Sequence, residues 1–201
     1  MAAAVRTVGL TGGIGAGKSE VLTAFGDAGA ETLSSDAVVH ELLGTGEVRD
    51  LLAERWGDQV LSDGELDRGA IAGIVFDDDD ELAFLESVLH PRVRERIMAF
   101  RDALDGTDAH AAVVEVPLLF ENDLGGLFDT TVCVTAPESL RRQRLAERDG
   151  QVALAAREAR QLTQEQKAAR AEHVLVNDGS PQQLATAASD LLARIVAERH
   201  L

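Results

Sequence analysis

The stretch Gly12-Gly13-Ile14-Gly15-Ala16-Gly17-Lys18-Ser19 decides how this chain folds. It fits the pattern G-x-x-x-x-G-K-[ST], in which a glycine-rich turn leads into a helix. Glycines let successive backbone N–H groups converge on phosphate oxygens without obstruction by side chains. The helix that follows adds the free N–H groups and the partial positive charge of its first turn. The stretch therefore predicts a phosphate-binding loop.

Residues at the end of this loop have chemistry of their own. We expect the Lys18 ammonium to reach the β- and γ-phosphates of ATP, and the Ser19 hydroxyl to ligate Mg²⁺. The backbone N–H of Glu20 extends the anion-binding turn. The residues predicted to bind the nucleotide here are Gly12, Gly13, Ile14, Gly15, Ala16, Gly17, Lys18, Ser19 and Glu20.

The segments around the loop predict an α/β fold. Residues 5–11 form a short apolar run that predicts a buried strand, and helical spacing follows Ser19. Helical patterns separate most of the other strand-like runs, which indicates βαβ units and a parallel sheet. Those runs are residues 31–33, 111–116, 130–135 and 173–177.

Proline and capping residues predict two helix boundaries. Ser180 is a good N-cap, Pro181 suits the first helical position and Gln183 completes a capping box, so the last helix begins there. Pro91 lacks the N–H that a helix interior needs. We therefore predict one helix from about residue 82 to residue 89 and another that begins at Pro91.

Two stretches differ from the rest of the chain. Residues 37–100 show helical periodicity and no strong strand, whereas residues 138–172 are rich in arginine. Between residues 141 and 170, seven arginines and Lys167 face four acids, a local charge of +4 in a chain of −16. We predict a P-loop NTPase-type three-layer sandwich with a five-stranded parallel sheet. Its parts are a core (residues 1–36, 101–137 and 173–201), a helical insertion (about 37–100) and an arginine-rich lid (about 138–172).

The arginine-rich stretch favours a kinase among nucleotide-binding proteins. Arg141, Arg144 and Arg148 are spaced i, i+3, i+7 and share one helical face. Arginines above a phosphate loop neutralise charge that develops during phosphoryl transfer, and a closing lid excludes water. We assign this catalytic role to Arg144 and Arg148. The alternative is a solvated helix with Arg–Glu pairs, which we assign to Arg142, Arg160 and Arg170.

Composition and charge exclude several classes of protein. A net charge of −16 argues against a nucleic-acid partner, because such proteins present basic surfaces. No apolar run approaches the roughly 20 residues that span a bilayer, and residues 1–4 lack the features of a signal peptide. The single Cys133 lies in an apolar run and is interpreted as a buried thiol in a reducing compartment. We expect a cytoplasmic protein with no membrane partner.

The acidic run at residues 77–81 is interpreted as a solvated helix start, with a metal site as the alternative.

A GTPase is disfavoured by the rest of the sequence. Residues 123–126 match D-x-x-G, but no N-K-x-D element for guanine follows, and residues 177–179 contain no lysine. Two further classes of protein stay open at this point. One is a P-loop kinase for a nucleoside or nucleoside monophosphate, and the second is a nucleotide-dependent switch protein without catalysis.

Several phrases together resemble the dephospho-coenzyme A kinase family, and they cover nearly the whole chain. Val116-Pro117-Leu118-Leu119-Phe120-Glu121 is the most distinctive. The others are residues 10–19, 66–68, 75–76, 89–91, 144–148, Arg157 with Gln161, and 176–180. The resemblance implies a five-stranded parallel core, a helical insertion that binds coenzyme A and an arginine-rich lid. It also implies transfer of the γ-phosphoryl of ATP to the ribose 3′-hydroxyl of dephospho-coenzyme A.

The resemblance further implies an acceptor site that departs from the family's pattern. Where the family usually has Asp-x-Asp after the second strand, this chain has Ser34-Ser35-Asp36, so the first carboxylate is missing. Asp36 is left to orient or deprotonate the acceptor hydroxyl, with a helix N-cap as the alternative.

Other residues take roles from the same resemblance. Glu115 is considered as a water-mediated partner of Mg²⁺. The segment from Asn177 to Gly179 is expected to pass the adenine of ATP, mainly through backbone groups. Core packing is the alternative for the three residues after Pro117, and a structural turn for His90. The predicted substrate-binding residues are Asp36, Arg68, His90, Leu118, Leu119 and Phe120.

Overall fold

The phosphate-binding loop follows the central strand of a parallel sheet. The computed structural model describes residues 5–76, 78–148 and 161–198. Within these ranges the strands are β1 (Arg6–Gly12), β2 (Glu31–Ser34), β3 (Leu61–Ser62), β4 (Glu65–Leu66), β5 (Ala111–Glu115), β6 (Thr130–Thr135) and β7 (His173–Val176). The helices are α1 (Lys18–Asp27), α2 (Ser35–Leu43), α3 (Gly46–Trp56), α4 (Arg68–Phe76), α5 (Asp79–Ala103), α6 (Glu138–Arg148), α7 (Gln164–Ala168) and α8 (Pro181–Ala197).

Five of these strands form one parallel sheet in the order β2-β5-β1-β6-β7. β1 lies in the middle, with Val8 opposite Val113 of β5 on one side and opposite Thr130 of β6 on the other. A strand with neighbours on both sides is buried, which explains why every residue of β1 after Arg6 is buried. The predicted α/β fold with a five-stranded parallel sheet is confirmed.

Two helices contribute buried apolar residues to the main core cluster of this sheet. Val21 and Phe25 of α1 are fully buried, and α8 contributes an apolar stripe to the same cluster. The N-terminus of α8 has the predicted cap: the Ser180 hydroxyl accepts from the Gln183 N–H, and the Gln183 side chain accepts from the Ser180 N–H. Cys133 is fully buried in β6, and burial raises the pKa of its thiol to about 11.

The chain divides into two compact units, residues 1–34 with 101–201, and residues 35–100. The second unit contains α2 to α4, α5 as far as Phe100, and a short antiparallel hairpin of β3 and β4, which the sequence analysis did not predict. Its aromatic residues Trp56 and Phe84 meet edge to face, with ring centroids 5.5 Å apart. Glu81 accepts hydrogen bonds from the Trp56 indole and from the Arg55 guanidinium, which ties α3 to α5.

The predicted break at Pro91 is wrong, because α5 runs without interruption from Asp79 to Ala103. A proline inside a helix removes one backbone hydrogen bond and crowds the preceding turn. Val88 and Leu89 before the proline and Val93 and Ile97 after it are all buried. Burial of this apolar stripe offsets the local cost, so tertiary packing overrides the proline.

The acidic run lies at the start of α5, as predicted, and one of its residues caps the helix. Asp78 Oδ1 accepts from the backbone N–H groups of Asp80 and Glu81, at 3.0 and 3.1 Å. Asp77 lies outside the described residues. No group of three or more His, Cys, Asp or Glu residues that would hold a metal occurs in the described part of the chain. Among the same residues, no helix combines the length and the apolar character needed to cross a membrane.

Glu81 makes stability depend on pH. The Arg55 hydrogen bond, followed by the Trp56 hydrogen bond, lowers the pKa of the Glu81 carboxyl, while burial acts in the opposite direction. A carboxyl whose folded pKa is lowered stabilises the fold above its unfolded pKa and loses that contribution as pH falls through the folded pKa. We expect the Tm of the wild type to fall more steeply between about pH 5 and pH 3 than that of Glu81→Gln.

The control is Glu95→Gln, an exposed carboxylate on the same helix, which should keep the wild-type slope. Equal slopes for Glu81→Gln and the wild type, measured by thermal unfolding across this pH range, would contradict the assignment.

Candidate active site

The shape of the phosphate-binding loop is set by its close approach to neighbouring strands. At Gly12 an added Cβ would lie 2.3 Å from the carbonyl oxygen of Val134 in β6, so no side chain fits there. Gly17 has φ of 93° and ψ of 34°, a left-handed conformation that favours glycine, and it caps α1. α1 then begins at Lys18, so its first turn lies at the end of the loop, where helix N-termini favour anions.

Each carbonyl of the loop from Gly12 to Ala16 accepts a hydrogen bond from a side chain. Lys18 Nζ donates to the carbonyls of Gly12 and Gly13, at 3.3 and 3.2 Å. Asn177 Nδ2 donates to the carbonyl of Ala16 at 2.9 Å, and the Asn177 side chain is 4% exposed. With its carbonyls engaged in this way, the loop can turn N–H groups toward an anion, apart from that of Ala16, which donates to the Gly13 carbonyl at 3.2 Å.

Two arginines of α6 complete the set of donors. Arg141 Nη1 donates to the carbonyl of Ile14 at 3.2 Å, and Arg144 Nη1 donates to the carbonyl of Gly15 at 3.3 Å. Both guanidinium groups therefore lie against the loop and bring two positive charges to it. Arg148 is the last residue of α6. Its side chain lies outside the described residues, as do Arg157 and Arg160.

Two adjoining cavities flank the loop. The first, of about 210 Å³, is lined by Gly15, Gly17, Lys18, Ser19, Glu20, Glu115, Arg144 and Leu145. The second, of about 410 Å³, is lined by Glu20, Thr23, Ala24, Asp27, Arg144, Asn177, Gly179, Pro181, Leu184 and Ala185. Glu20 and Arg144 line both. The first cavity has the charged and backbone groups that suit phosphates, and the second offers the mostly apolar lining that suits a base.

The distinctive phrase after β5 forms a loop beside β1. Leu119 is fully buried, and its Cδ2 lies 3.2 Å from the point where a Cβ on Gly9 would stand, so its side chain packs in the core. Leu118 and Phe120 are half-buried. This loop follows the carboxyl end of a parallel strand, which is where open α/β sheets bind ligands.

The remaining predicted residues belong to the second unit. Asp36 is exposed in the first turn of α2, two residues after β2 ends. Arg68 is the first residue of α4, and its Nη2 lies 2.7 Å from Nε2 of His40. His90 is exposed on α5, directly before Pro91.

The donor set suits a divalent cation that a nucleotide would bring. The exposed Ser19 and the buried carboxylate Glu115 line the same cavity. A hydroxyl and one carboxylate are too few ligands for a cation held by protein alone. They suit Mg²⁺, which keeps several water ligands and whose coordination shell is completed by the phosphates of the substrate.

Three contributions to this site were missed by the sequence analysis. Arg141 was placed on the arginine face, yet only Arg144 and Arg148 were assigned a role. Asn177 was expected to act mainly through its backbone, whereas its side chain binds the loop. Gln164 was not considered, although its Oε1 lies 3.1 Å from the Cβ position of Gly13. Only Arg141 had a signal in the sequence, since it shares the i, i+3 spacing with Arg144.

The loop, its arginines and the parallel sheet define a P-loop nucleotide-binding protein of the kinase type. The family model described as dephospho-CoA kinase matches residues 6–183. The chain therefore belongs to the dephospho-CoA kinase family, and it is an enzyme of that class.

Relatives and a solved structure agree with this assignment. The dephospho-CoA kinase of Thermobifida fusca is 38% identical over 183 residues, which cover 88% of this chain and 90% of the relative. That of Deinococcus radiodurans is 40% identical over 176 residues, which cover 87% and 84%. The crystal structure of TT1252 from Thermus thermophilus superposes with a TM-score of 0.81 at 34% identity, covering 96% of this chain and 98% of that one.

The contact between Gly17 and Asn177 predicts a large effect of one methyl group. In Gly17→Ala the Cβ would lie 2.2 Å from Asn177 Nδ2, and the left-handed backbone would be strained by roughly 1–2 kcal/mol in addition. We expect ATP to bind at least tenfold more weakly, as measured by isothermal titration calorimetry.

Gly29→Ala is the matched control, because Gly29 has φ of 95° and nothing within 4 Å of its Cβ position. It should lower the Tm through the same backbone strain and leave the Kd for ATP unchanged. An unchanged Kd in Gly17→Ala would show that the loop tolerates the displacement of Asn177.

Proposed function

We propose that this chain transfers the γ-phosphoryl group of ATP to the ribose 3′-hydroxyl of dephospho-coenzyme A, the final step of coenzyme A biosynthesis. The bond between the γ-phosphorus and the β,γ-bridging oxygen breaks, and a bond from the 3′-oxygen to that phosphorus forms. The hydroxyl proton passes to a carboxylate or to water, and ADP leaves. The observation that carries this proposal is the phosphate-binding loop with arginines on its carbonyls, in a chain of this family.

The ATP half of the reaction rests on the cavities that flank the loop. We assign the phosphates to the N–H groups of the loop and of the first turn of α1, and to the Lys18 ammonium, which lies against the loop carbonyls. The adenine is assigned to the cavity lined by Asn177, Gly179 and Pro181. Its apolar wall, from Ala24, Leu184 and Ala185, suits a planar base.

Charge on the transferred group is assigned to the arginines. Arg144 and Arg148 keep their predicted role, and Arg141 joins them because its guanidinium also lies against the loop. The +4 local charge of residues 141–170 supports a lid over about residues 138–172. Such a lid excludes water, so that the acceptor and not water receives the phosphoryl group.

The acceptor half of the reaction rests on the family and on chain connectivity. Asp36 follows the carboxyl end of β2, and we assign it to orient and deprotonate the 3′-hydroxyl. The helical insertion, about residues 37–100, is assigned to the body of the substrate through Arg68 and His90. Leu118 and Phe120 are assigned to the edge of the substrate-binding site, while the buried Leu119 is assigned to core packing.

Mg²⁺ is assigned to Ser19, with Glu115 as a partner through water. When bound with ATP, it supplies charge neutralisation at the β- and γ-phosphate oxygens. The exposed hydroxyl and the buried carboxylate on one cavity wall support this assignment. Lys18 and the arginines provide the remaining positive charge.

The proposal is tested by offering ATP with dephospho-coenzyme A, adenosine and AMP in parallel and measuring ADP release. We expect turnover with dephospho-coenzyme A to be at least 10³-fold faster than with adenosine or AMP. The smaller acceptors leave polar groups of the site unpaired, and a site discriminates against such acceptors by factors of this size. Comparable turnover with adenosine or AMP would favour a nucleoside or nucleotide kinase. ATP binding without any acceptor-dependent turnover would favour a nucleotide switch.

Two variants in the same assay assign the roles. Lys18→Ala should abolish turnover and still fold, with a Tm a few degrees lower because the Gly12 and Gly13 carbonyls lose the Lys18 donor. Asp36→Asn should lower kcat at least 10²-fold with an unchanged Kd for ATP. A near-normal rate in Asp36→Asn would remove this carboxylate from the mechanism.

A further inference from the structure

One of the two lysines of this chain is completely buried. Lys167 lies in α7 with 0% of its side chain exposed, whereas lysine is among the residues that are most rarely buried. Its ammonium lies 3.1 Å from Oε1 of Glu121 and donates to the carbonyl of Pro117 at 2.5 Å. A buried ammonium must be paired and hydrogen-bonded, and both requirements are met here.

The partners of Lys167 come from the loop that follows β5. Glu121 Oε1 accepts a second hydrogen bond from the backbone N–H of Leu162, at 2.9 Å. The Pro117 carbonyl also accepts from the Thr11 hydroxyl at 3.1 Å, and Thr11 directly precedes the phosphate-binding loop. The ion pair therefore joins three segments: the end of β1, the loop after β5, and the stretch from residue 162 to α7.

α7 in turn lies against the phosphate-binding loop. Gln164 Oε1 accepts from the backbone N–H of Ala136 at 2.8 Å, just after β6. The same Gln164 side chain is so close to Gly13 that a Cβ there would meet it at 3.1 to 3.3 Å. Lys167 is one turn further along α7 and anchors this helix in the core.

We propose that Lys167 and Glu121 form a positioning pair for phosphoryl transfer. Neither residue is assigned to ATP or to the acceptor. The pair acts through the loop Pro117–Leu118–Leu119–Phe120 on the acceptor side and through Gln164 on the phosphate side. This inference rests on the proposed function. It explains why an ion pair is buried here, although apolar residues in place of such a pair often stabilise a fold equally well.

The test separates positioning from stability with a double variant. Lys167→Met alone leaves the Glu121 carboxylate buried without its cation, and we expect its Tm to fall by about 10 °C. In Lys167→Met/Glu121→Gln no charge is left unpaired, and the carboxamide oxygen still accepts from Leu162. Its Tm should return to within about 3 °C of the wild type.

The double variant should regain the stability of the wild type but not its catalytic activity. For the double variant we expect kcat/KM for dephospho-coenzyme A at least tenfold below the wild type, with the Kd for ATP within about threefold. Lys167→Arg keeps the charge and should retain more activity than the double variant. The matched control is Arg142→Met/Glu138→Gln, which removes an ion pair of the same type that is 77% and 65% exposed on α6, and it should keep the wild-type kcat/KM.

A double variant with wild-type stability and wild-type kcat/KM would show that the pair is only structural and would overturn the inference. If the double variant does not fold, the single variants Glu121→Gln and Lys167→Arg replace it in the test. A folded Glu121→Gln with the wild-type rate would overturn the inference. Absence of turnover in the wild type would instead refute the proposed function.

Discussion

A loop that binds phosphate through its N–H groups needs hydrogen-bond donors for its carbonyls. The unit formed by residues 1–34 and 101–201 depends on this constraint. Along residues 12–16 the N–H groups can converge only if the carbonyls point away, where they need donors of their own. Lys18, Arg141, Arg144 and Asn177 provide those donors. An unsatisfied buried carbonyl would cost about 1–3 kcal/mol, so the donors hold the loop in the shape that binds an anion.

These donors come from parts of the chain that are far apart in sequence, and the sheet brings them together. β1 is central, so β6 and β7 end beside the loop. The helix after β6 supplies both arginines, and the residue after β7 is Asn177. Close packing then excludes side chains at Gly12 and Gly17, since a Cβ at either would meet Val134 or Asn177. Glycine at these two positions thus allows the loop to pack against the ends of β6 and β7.

Local patterns in the sequence predicted the parallel strands, the start of α1 and the cap of α8, because these features depend on near neighbours. What they could not predict depends on tertiary packing. Pro91 stays inside α5 because apolar residues on both sides are buried. The side chain of Asn177 and the burial of Lys167 depend on contacts more than 40 residues away. The resemblance implied a set of site residues, but it did not indicate which side chains hold the loop.

The central claim is that side-chain donors to the loop carbonyls create the phosphate grip, and the Kd for ATP of Asn177→Leu tests it most directly. Leucine is close enough in size to asparagine to fill the site but has no donor, so the carbonyl of Ala16 would lose its partner while packing is retained. The account predicts a folded protein whose Kd for ATP is raised about tenfold or more. A folded variant that binds ATP with the wild-type Kd would contradict it.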